Sequence, residues 1–345
     1  MKDSWLEKIM NKVLTIVIPA YNMEEYIGRC LKSAALSDLK DDLEVLVIND
    51  GSKDSTLLIA RDFEDRFPSV IRVIDKPNGG WGSAINVGIE QASGTFFKIL
   101  DSDDWFDSDA LRDFCKLLRE IEETEVDLVA SSSVTYCVDK IENEYVFPKS
   151  VCDKIIPYSE HAQRTEYIRI PMANIAYRTT ILRNNDIHLV DRYYADLDYD
   201  LTPLIYVRAI WFTQINLYRY FRGREGQSTS IDSYIKHVDD YLKVNCKLIE
   251  YFSDKISVMH QSIQKMYLDR CRKITQSSYV FLMSPRYGGD DPANVPKLKD
   301  FDTFVKTHNE YLYKRSGRAT FHKIIPYVWI WRKTGINVLK YLRWM

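Results

Sequence analysis

Residues 95–109, TFFKILDSDDWFDSD, join an apolar run to five carboxylates within nine positions. The run at 95–100 is short and rich in Phe, Ile and Leu, which is typical of a strand buried on both faces of a parallel sheet. The carboxylates that follow repel one another unless something positive lies among them. They are Asp101, Asp103, Asp104, Asp107 and Asp109. The segment therefore predicts that a central strand delivers acidic side chains to one edge of a sheet.

The same alternation of apolar runs and helical patterns extends over the first 135 residues. Segments with the composition of buried strands lie at 13–18, 43–48, 70–74 and 126–134. Helix-length segments lie at 23–36, 54–66, 82–92 and 108–123, with Asp54 and Ser108 as N-caps and Gly94 as a C-cap glycine. Strands that alternate with helices in this way predict an α/β fold, with a mostly parallel central sheet and helices on both faces.

Beyond residue 135 the pattern loosens and then becomes helical. Short strands are predicted near 144–147, 173–177 and 211–221, with a helix at about 197–209. From residue 232 onward the periodicity predicts helices at 232–254, 258–283 and 298–312. We therefore predict one domain over residues 1–230, with halves at about 12–135 and 136–230, and a helical C-terminal region over residues 231–345.

The composition is that of an ordinary globular protein with a sizeable core. The chain has 345 residues, of which 46% are hydrophobic and 28% charged, and its net charge of −2 gives no indication of nucleic-acid binding. Its six cysteines include no C-x-x-C pair, which favours buried free thiols over a disulfide framework or a zinc site. The sequence shows no signal peptide and no apolar run of about 18 residues, so we expect a cytoplasmic location.

Four loops are predicted at the edge of the sheet where ligands bind in such folds. They are PAYN (19–22), NDGS (49–52), KPNGGWGSAINVG (76–88) and DSDD (101–104). Asp50 can accept a hydrogen bond from the imide N–H of a uracil ring or from a ribose hydroxyl, and Tyr21 offers a ring face for stacking. Asp101 and Asp103 can hold Mg²⁺ or Mn²⁺ through oxygen ligands, which would offset the carboxylate repulsion. Together the loops predict a site for a nucleotide diphosphate and a metal ion.

Other motifs for phosphate or metal do not fit this sequence. An EF-hand would need glycine where Phe106 stands. GGWGSAI (79–85) lacks the third glycine of a dinucleotide fingerprint and follows the third strand rather than the first. There is no P-loop, and the first loop lacks the glycines and the basic residue of a nucleotidyltransferase. An acidic loop alone is most often merely solvated, so the prediction depends on the four loops together.

The sequence resembles the family 2 inverting glycosyltransferases of GT-A fold. The resemblance lies in TIVIPAYNMEEYIGRCLKSA (15–34), LEVLVINDGSKDST (43–56) and NGGWGSAINVGIEQASGTFFKILDSDDW (78–105). It covers roughly residues 12–135 and extends more faintly to about 230. It implies metal-dependent transfer of a sugar from a nucleotide diphosphate, UDP by expectation, to a glycan, lipid-linked or glycoprotein acceptor in bacterial surface-glycan synthesis.

The resemblance also implies roles for individual residues. Tyr21 would stack on the nucleotide base, Asp50 would bind that base, and Asp103 would ligate the metal. Asp101 would lie on the ribose or metal side of the donor. The other donor-binding residues that it implies are Pro19, Gly80, Ser102, Arg222, Arg224, Gln227 and Ser228. The last four belong to FRGREGQSTS (221–230), which resembles the loop that closes over the diphosphate.

The general base of this family is typically the aspartate of an acidic pair at the start of a helix. DRYYADLDYDL (191–201) departs from the usual Glu-Asp pair, because Ala195 precedes Asp196. We predict that Asp196 is the base, with Asp198 as the alternative if the motif is aligned slightly further along. The departure at Ala195 also leaves open a catalytically idle binding or scaffold protein on the same fold.

The C-terminal tail, residues 311–345, contains eight Lys or Arg residues among aromatic and aliphatic side chains, and no acid. This pattern predicts an interfacial segment on anionic lipid, hence peripheral attachment to the inner face of the cell membrane. Packing onto the parent domain or a partner subunit is the alternative. The oligomeric state is left open, with a homo-oligomer among the alternatives.

Overall fold

The computed structural model describes residues 12–137, 140–163, 169–224, 227–228, 230–320 and 324–342. By its internal contacts the chain divides into two compact units, residues 1–224 and 225–345. The first unit is built around a β-sheet and the second consists of helices. The domain boundary near residue 230 stays a prediction.

Among the described residues, ten strands form one sheet in the first unit. They are β1 (Leu14–Ala20), β2 (Leu43–Asn49), β3 (Ile71–Asp75), β4 (Phe96–Ile99), β5 (Trp105–Phe106), β6 (Val126–Cys137), β7 (Lys140–Tyr145), β8 (Ile155–Pro157), β9 (Ile175–Arg178) and β10 (Ala209–Arg222). The order is β3-β2-β1-β4-β9-β6-β10-β5, with β7 beside β6 and β8 beside β10. The first four strands pair in parallel, as do β6 and β10, whereas β9 runs antiparallel between β4 and β6.

Helices cover both faces of this sheet, as the sequence predicts. They are α1 (Ile27–Ala34), α2 (Thr56–Arg66), α3 (Trp81–Gln91), α4 (Ser108–Ile121), α5 (Tyr158–Gln163), α6 (Thr179–Asn184) and α7 (Asp196–Leu201). Successive strand residues point to opposite faces of a sheet. Ile16 and Ile18 of β1 therefore share a buried cluster with α1 and α4, whereas Val17 lies against Gly88 of α3. The strand is buried along its whole length for this reason.

Two of the predicted helix caps are wrong. The N-cap of α4 is Asp107, whose side chain accepts a hydrogen bond from the N–H of Ala110, rather than Ser108. Gly94 does not cap α3, which ends at Gln91. A Cβ at Gly94 would come within 2.5 Å of the backbone nitrogen of Thr15, so glycine is needed there for the close approach of β1.

The remaining N-cap and one helix of the first unit differ in detail from the prediction. Asp54 accepts a hydrogen bond from the N–H of Thr56, one residue before the N-cap position of α2. The helix predicted at 197–209 is shorter, because α7 gives way to a 3₁₀ helix over Thr202–Tyr206. Pro203 lacks an N–H, so the α-helical hydrogen-bond pattern cannot continue through it.

The second unit contains the helices α8 (Ile231–Lys236), α9 (Val238–Lys255), α10 (Gln261–Met283), α11 (Asn294–His308), α12 (Glu310–Ser316) and α13 (Tyr327–Thr334). Two of the predicted helices are each split in two, at His237 and at Asn309. The split at Asn309 has a clear cause, because its side chain accepts a hydrogen bond from the N–H of Leu312 and so starts a new helix. None of the helices in the described ranges is long and apolar enough to cross a membrane.

Part of the basic tail packs within the second unit. Arg332 of α13 donates to Asp302 Oδ1 at 2.8 Å and to the Tyr279 hydroxyl at 3.0 Å. Asn337 donates to the carbonyl oxygen of Met283, and Leu339 is wholly buried. The alternative of packing on the parent chain therefore accounts for this part of the tail. The apolar tail residues that stay exposed include Ile324, Trp329, Ile336 and Tyr341.

Lys98 of β4 is a charged residue in the middle of the apolar run, and it is wholly buried. Its Nζ donates to the carbonyl oxygens of Ala173 at 2.8 Å and Ile175 at 3.2 Å. The ring centre of Tyr218 lies 5.7 Å away. Burial lowers the pKa of Lys98 to about 7, because a buried ammonium loses its hydration.

Replacing Lys98 by Met should change how stability depends on pH. The pKa of Lys98 is about 7 in the folded protein and near 10.4 when unfolded, so the unfolded chain holds the extra proton between these values. The contribution of Lys98 to the unfolding free energy therefore rises with pH in that window. We expect the wild type to gain about 2 kcal/mol relative to Lys98→Met between about pH 7 and 9, as measured by denaturant unfolding. Lys116→Met, on the exposed side of α4, is the control; parallel curves for wild type and Lys98→Met would contradict the prediction.

Candidate active site

The first loop and the second loop meet at the carboxyl ends of β1 and β2. The N–H of Asn22 donates to Ser52 Oγ at 3.1 Å, and its side-chain oxygen accepts from the N–H of Lys53 at 2.8 Å. Tyr21 stands on the first loop and is exposed. Because its ring is not packed into the core, one face is available to a planar ligand.

Asp50, at the end of β2, is bonded to the loop that precedes α3. Its carboxylate accepts hydrogen bonds from the N–H groups of Gly79 at 2.9 Å and Gly80 at 2.7 Å, and from Lys76 Nζ at 2.6 Å. A carboxylate has about four acceptor positions. These three bonds order the glycine-rich loop and leave room for one further donor from a ligand.

Asp101 lies where β4 ends and is held by two aromatic side chains. Its Oδ1 accepts a hydrogen bond from Trp81 Nε1 at 2.8 Å, and its N–H donates to the Tyr218 hydroxyl at 3.1 Å. Burial, and then the nearby Asp103 carboxylate, raise the pKa of Asp101 to about 7. A cation bound nearby would therefore favour the ionised form of the Asp101 carboxylate.

The other acids of the run also have partners within the protein. Asp103 Oδ2 accepts a hydrogen bond from Arg224 Nε at 2.9 Å. The buried carboxylate of Asp104 accepts from the Tyr218 hydroxyl at 2.6 Å and from the N–H of Phe221 at 2.7 Å. The last two acids form the ion pairs Asp107–Arg219 and Asp109–Arg112. The protein itself thus offsets much of the repulsion for which a metal ion was predicted.

Asp101 and Asp103 nevertheless can provide the oxygen ligands of a metal site that is completed by the phosphates of a nucleotide. Mg²⁺ and Mn²⁺ are commonly bound by one or two carboxylates, with phosphate oxygens and water completing the coordination. Over the described residues, no group of three or more His, Cys, Asp or Glu side chains is placed to hold a metal ion by itself. The two carboxylates therefore fit an ion that arrives with the phosphates of a ligand.

Asp196 and Asp198 have different surroundings, although both belong to α7. Asp196 is the first residue of the helix and is partly exposed. Burial raises the pKa of Asp196, and its charge is close enough to contribute to the raised pKa of Asp101. Asp198 is wholly buried, and its carboxylate accepts from the N–H of Val190 and from the Thr202 hydroxyl. This geometry favours Asp196 as the acid that meets a ligand and gives Asp198 a role in holding the loop.

The loop before α7 packs directly on the start of α3. A Cβ at Gly82 would overlap the carbonyl oxygen of Val190, and one at Gly80 would lie 3.5 Å from the backbone of Asp191. Tyr194 of this loop has a φ of 66°, a left-handed conformation that non-glycine residues rarely adopt. The contact therefore fixes Asp196 relative to Trp81 and the glycine-rich loop.

Gly82→Ala should disrupt this contact, whereas Gly28→Ala should not. Nothing lies within 4 Å of a Cβ at Gly28 of α1, so alanine there should stabilise the helix by up to about 1 kcal/mol. Alanine at Gly82 must displace the backbone at Val190, and we expect a loss of about 1–3 kcal/mol in unfolding free energy. Thermal unfolding and a transfer assay on both variants test this. Equal stability and activity would show that the two loops do not depend on close packing.

Comparison with known proteins identifies the family of the domain that contains the four loops. The family model described as Glycosyl transferase family 2 matches residues 15–180, which include all four loops. The chain carries a family 2 glycosyltransferase domain.

Relatives and solved structures extend the likeness over most of the chain. Poly(ribitol-phosphate) beta-N-acetylglucosaminyltransferase TarS of Staphylococcus aureus (strain MW2) is 27% identical over 312 residues, which are 89% of this chain and 52% of TarS. The chain spans about half the length of the curated relatives it matches. The crystal structure of S. aureus TarS 1–349 has a TM-score of 0.61 at 20% identity and covers 89% of this chain and 84% of that one. Its complex with UDP-GlcNAc has a TM-score of 0.58 at 20% identity, covering 88% and 90%. The predicted GT-A fold, with a helical C-terminal region, is confirmed.

Other predicted donor residues lie in different surroundings. Pro19 lies within β1 and is paired with Ile48 of β2. Ser102 is buried beneath the loop surface. Arg222 forms an ion pair with Glu142 of β7 at 2.9 Å. Gln227 and Ser228 belong to the second unit. Their binding roles stay predictions.

Sequence reasoning assigned no role to several side chains that shape the site of the family 2 domain. Lys76 and Trp81 are the partners of Asp50 and Asp101 described above. Arg29 of α1 donates to the carbonyl oxygen of Asp103 at 2.8 Å, and its guanidinium lies 3.8 Å from the ring centre of Trp105. Lys76 and Trp81 stand on either side of Gly79 and Gly80 in the third loop, and this position in the sequence could have indicated that they belong to the site. Arg29 had none, because its partners are more than 70 residues away in the sequence.

Proposed function

We propose that this protein transfers a sugar from a UDP-linked donor to a hydroxyl of a surface-glycan acceptor, with inversion at the transferred sugar. The observation that carries the proposal is the gathering of Asp50, Asp101 and Asp103 of the family 2 domain, together with Asp196, around one edge of the sheet. The S. aureus relative named above has been crystallised with UDP-GlcNAc, which supports a UDP-sugar donor. The name of that relative gives poly(ribitol-phosphate) as its substrate, which supports a polymeric acceptor.

The donor would lie along the four loops. Tyr21 presents an exposed ring for the base, and Asp50 has one acceptor position left for the base or ribose. The diphosphate would lie over Asp101 and Asp103, within reach of Arg224. Asp101 and Asp103 would hold Mn²⁺ or Mg²⁺. Such an ion supplies positive charge that stabilises the departing nucleoside diphosphate.

The acceptor would approach from the side of α7. Asp196 is suited to take the proton of the acceptor hydroxyl on a carboxylate oxygen, because a base with a raised pKa is a stronger proton acceptor. Transfer with inversion needs one such base and no covalent intermediate on the protein. Trp81 orients Asp101 by donating its indole N–H to the carboxylate. The contact between Gly82 and Val190 fixes the loop that carries Asp196 against the glycine-rich loop of the donor site.

Calorimetry with UDP and Mn²⁺, followed by a screen of nucleotide sugars for metal-dependent hydrolysis, tests this function. We expect UDP binding that requires the ion, and turnover of one UDP-sugar above the others. Binding without turnover of any sugar would favour the idle scaffold suggested by Ala195. A lack of binding would remove the transferase proposal.

We also propose a cytoplasmic protein that associates with the inner face of the membrane through the exposed part of the tail. Because Arg332, Leu339 and part of α13 are used in internal packing, only the exposed apolar side chains are available. Trp329, Ile336 and Tyr341 are among these, and Lys333 and Lys340 stand near them in the sequence. This combination is typical of interfacial binding. Sedimentation with anionic vesicles, with and without Trp329→Ser, would measure it.

A further inference from the structure

The second unit contains two adjoining cavities far along the chain from the carboxylate site. Both are open to solvent, and their volumes are about 370 and 560 Å³. Both are lined by Arg272 and Gln276 of α10 and by Arg318, which follows α12. Arg315 and Tyr311 of α12 complete the smaller cavity. We call this pair of cavities the arginine hollow.

The arginine hollow carries a clear excess of positive charge. Its cations are Arg272, Lys273, Arg315 and Arg318, against Asp269 as the acid in its lining. The carboxylate of Asp269 is already shared between Arg272 at 2.7 Å and Lys273 at 2.9 Å. Because one carboxylate carries a single negative charge, it leaves Arg315 and Arg318 without a neutralising acid in the lining.

Within the described part of the chain, Arg315 and Arg318 form no ion pair with an acid, unlike Arg332 of the same tail. The sequence contains no Asp or Glu after Glu310, and Glu310 itself is paired with Lys314 at 2.8 Å. Both arginines are exposed, and the guanidinium of Arg315 lies 5.4 Å from the ring centre of Tyr311. The two guanidinium groups are therefore available to a ligand at the mouth of the hollow.

We propose that the arginine hollow binds phosphate or phosphodiester groups of the glycan acceptor. The planar guanidinium fork matches two phosphate oxygens at once, and the two exposed arginines, Arg315 and Arg318, suit successive charged groups along a chain. Gln276 adds a neutral polar group, and the half-exposed ring of Tyr311 offers a face on which a sugar can pack. That the phosphates belong to a glycan rests on the proposed function; the anion site itself does not.

A membrane surface fits the arginine hollow less well than a soluble polyanion. An interfacial site needs apolar side chains that project beside the cations. Tyr311, at 45%, is the exposed aromatic side chain of the hollow, whereas Tyr327 and Ala319 are only 4% and 6% exposed. The more strongly exposed apolar side chains of the tail, Ile324, Trp329 and Tyr341, are not part of its lining.

Titration calorimetry of the full chain with inorganic tripolyphosphate, without metal, tests the site. We expect saturable binding that weakens at least tenfold in the double variant Arg315→Gln/Arg318→Gln. The matched control, Lys306→Gln/Lys333→Gln, removes the same charge from exposed positions of the same unit outside the hollow and should bind as the wild type does. Thermal unfolding of each variant confirms that it is folded.

Other results would overturn the proposal. These are a lack of saturable binding or an equal loss in the lysine control. Vesicles of phosphatidylglycerol form a second arm: if the arginine double variant lost vesicle binding but kept tripolyphosphate binding, the hollow would be a lipid site instead. UDP binding with Mn²⁺ is measured separately on the same variants. A chain that binds tripolyphosphate but not UDP would keep the anion site and lose the transferase function.

Discussion

Asp196→Asn should lower sugar transfer by roughly 10²–10⁴-fold while leaving the affinity for UDP and Mn²⁺ unchanged. An amide cannot take the proton of the acceptor hydroxyl, so the loss falls on the chemical step. Donor binding should survive, because the donor-side contacts run through Asp50, Asp101 and Asp103 rather than through α7. Turnover of the best donor from the screen, alongside calorimetry with UDP, measures both quantities.

Asp198→Asn is the matched control for this prediction. The same change two residues further on places an amide among the partners of a buried carboxylate, the N–H of Val190 and the hydroxyl of Thr202. An amide offers one acceptor oxygen where the carboxylate offers two, so we expect a loss of about 1–3 kcal/mol in stability. If instead Asp198→Asn abolished transfer at unchanged stability, Asp198 would be the base. A loss of UDP affinity in Asp196→Asn would likewise contradict the assignment.

Asp103→Asn should weaken metal-dependent UDP binding by at least roughly 10–100-fold and reduce transfer accordingly. Losing a direct ligand should cost at least as much metal affinity as losing a supporting residue does. The fold should survive, because asparagine retains an oxygen that can accept the hydrogen bond from Arg224. Because Asp103 is only 8% exposed, thermal unfolding of the variant is measured beside its activity.

Asp109→Asn provides the comparison within the same acidic run. The side chain of Asp109 is 95% exposed and paired with Arg112, away from the carboxylates at the end of β4. We expect unchanged UDP binding and unchanged transfer, because a surface ion pair of this kind contributes little. Undiminished metal-dependent transfer in Asp103→Asn would remove Asp103 from the metal site. Equal losses in both variants would mean that the run acts only through its total charge.

The sheet and the placing of the loops could be predicted because they follow from local composition. Short runs of Val, Ile and Leu between helical patterns have few alternatives to a parallel sheet, and the topology then brings the carboxyl ends of its strands together. The antiparallel β9 between β4 and β6 was not predicted in that position. Its sequence is short, and nothing in a strand of four residues indicates its neighbours.

The side-chain partners within the site could not be predicted for a different reason. Asp103 with Arg224 and Asp101 with Trp81 are pairs between distant segments. A carboxylate in a loop has many candidate donors in the rest of the chain, and only the folded backbone selects among them. Lys98 shows the same limit within a strand, because its alkyl stem and two carbonyl partners let a lysine occupy a position that the pattern assigns to an apolar residue.

The backbone contact between Gly82 and Val190 has a consequence for how such enzymes can be recombined. These residues come from the two halves of the first unit that bind different substrates in the proposed function. Exchange of one half for that of another glycosyltransferase would bring an unfamiliar loop against a surface shaped for the carbonyl of Val190. Hybrids with altered sugar specificity should therefore be built by exchanging both loops as a matched set, and a crossover between them should yield inactive protein.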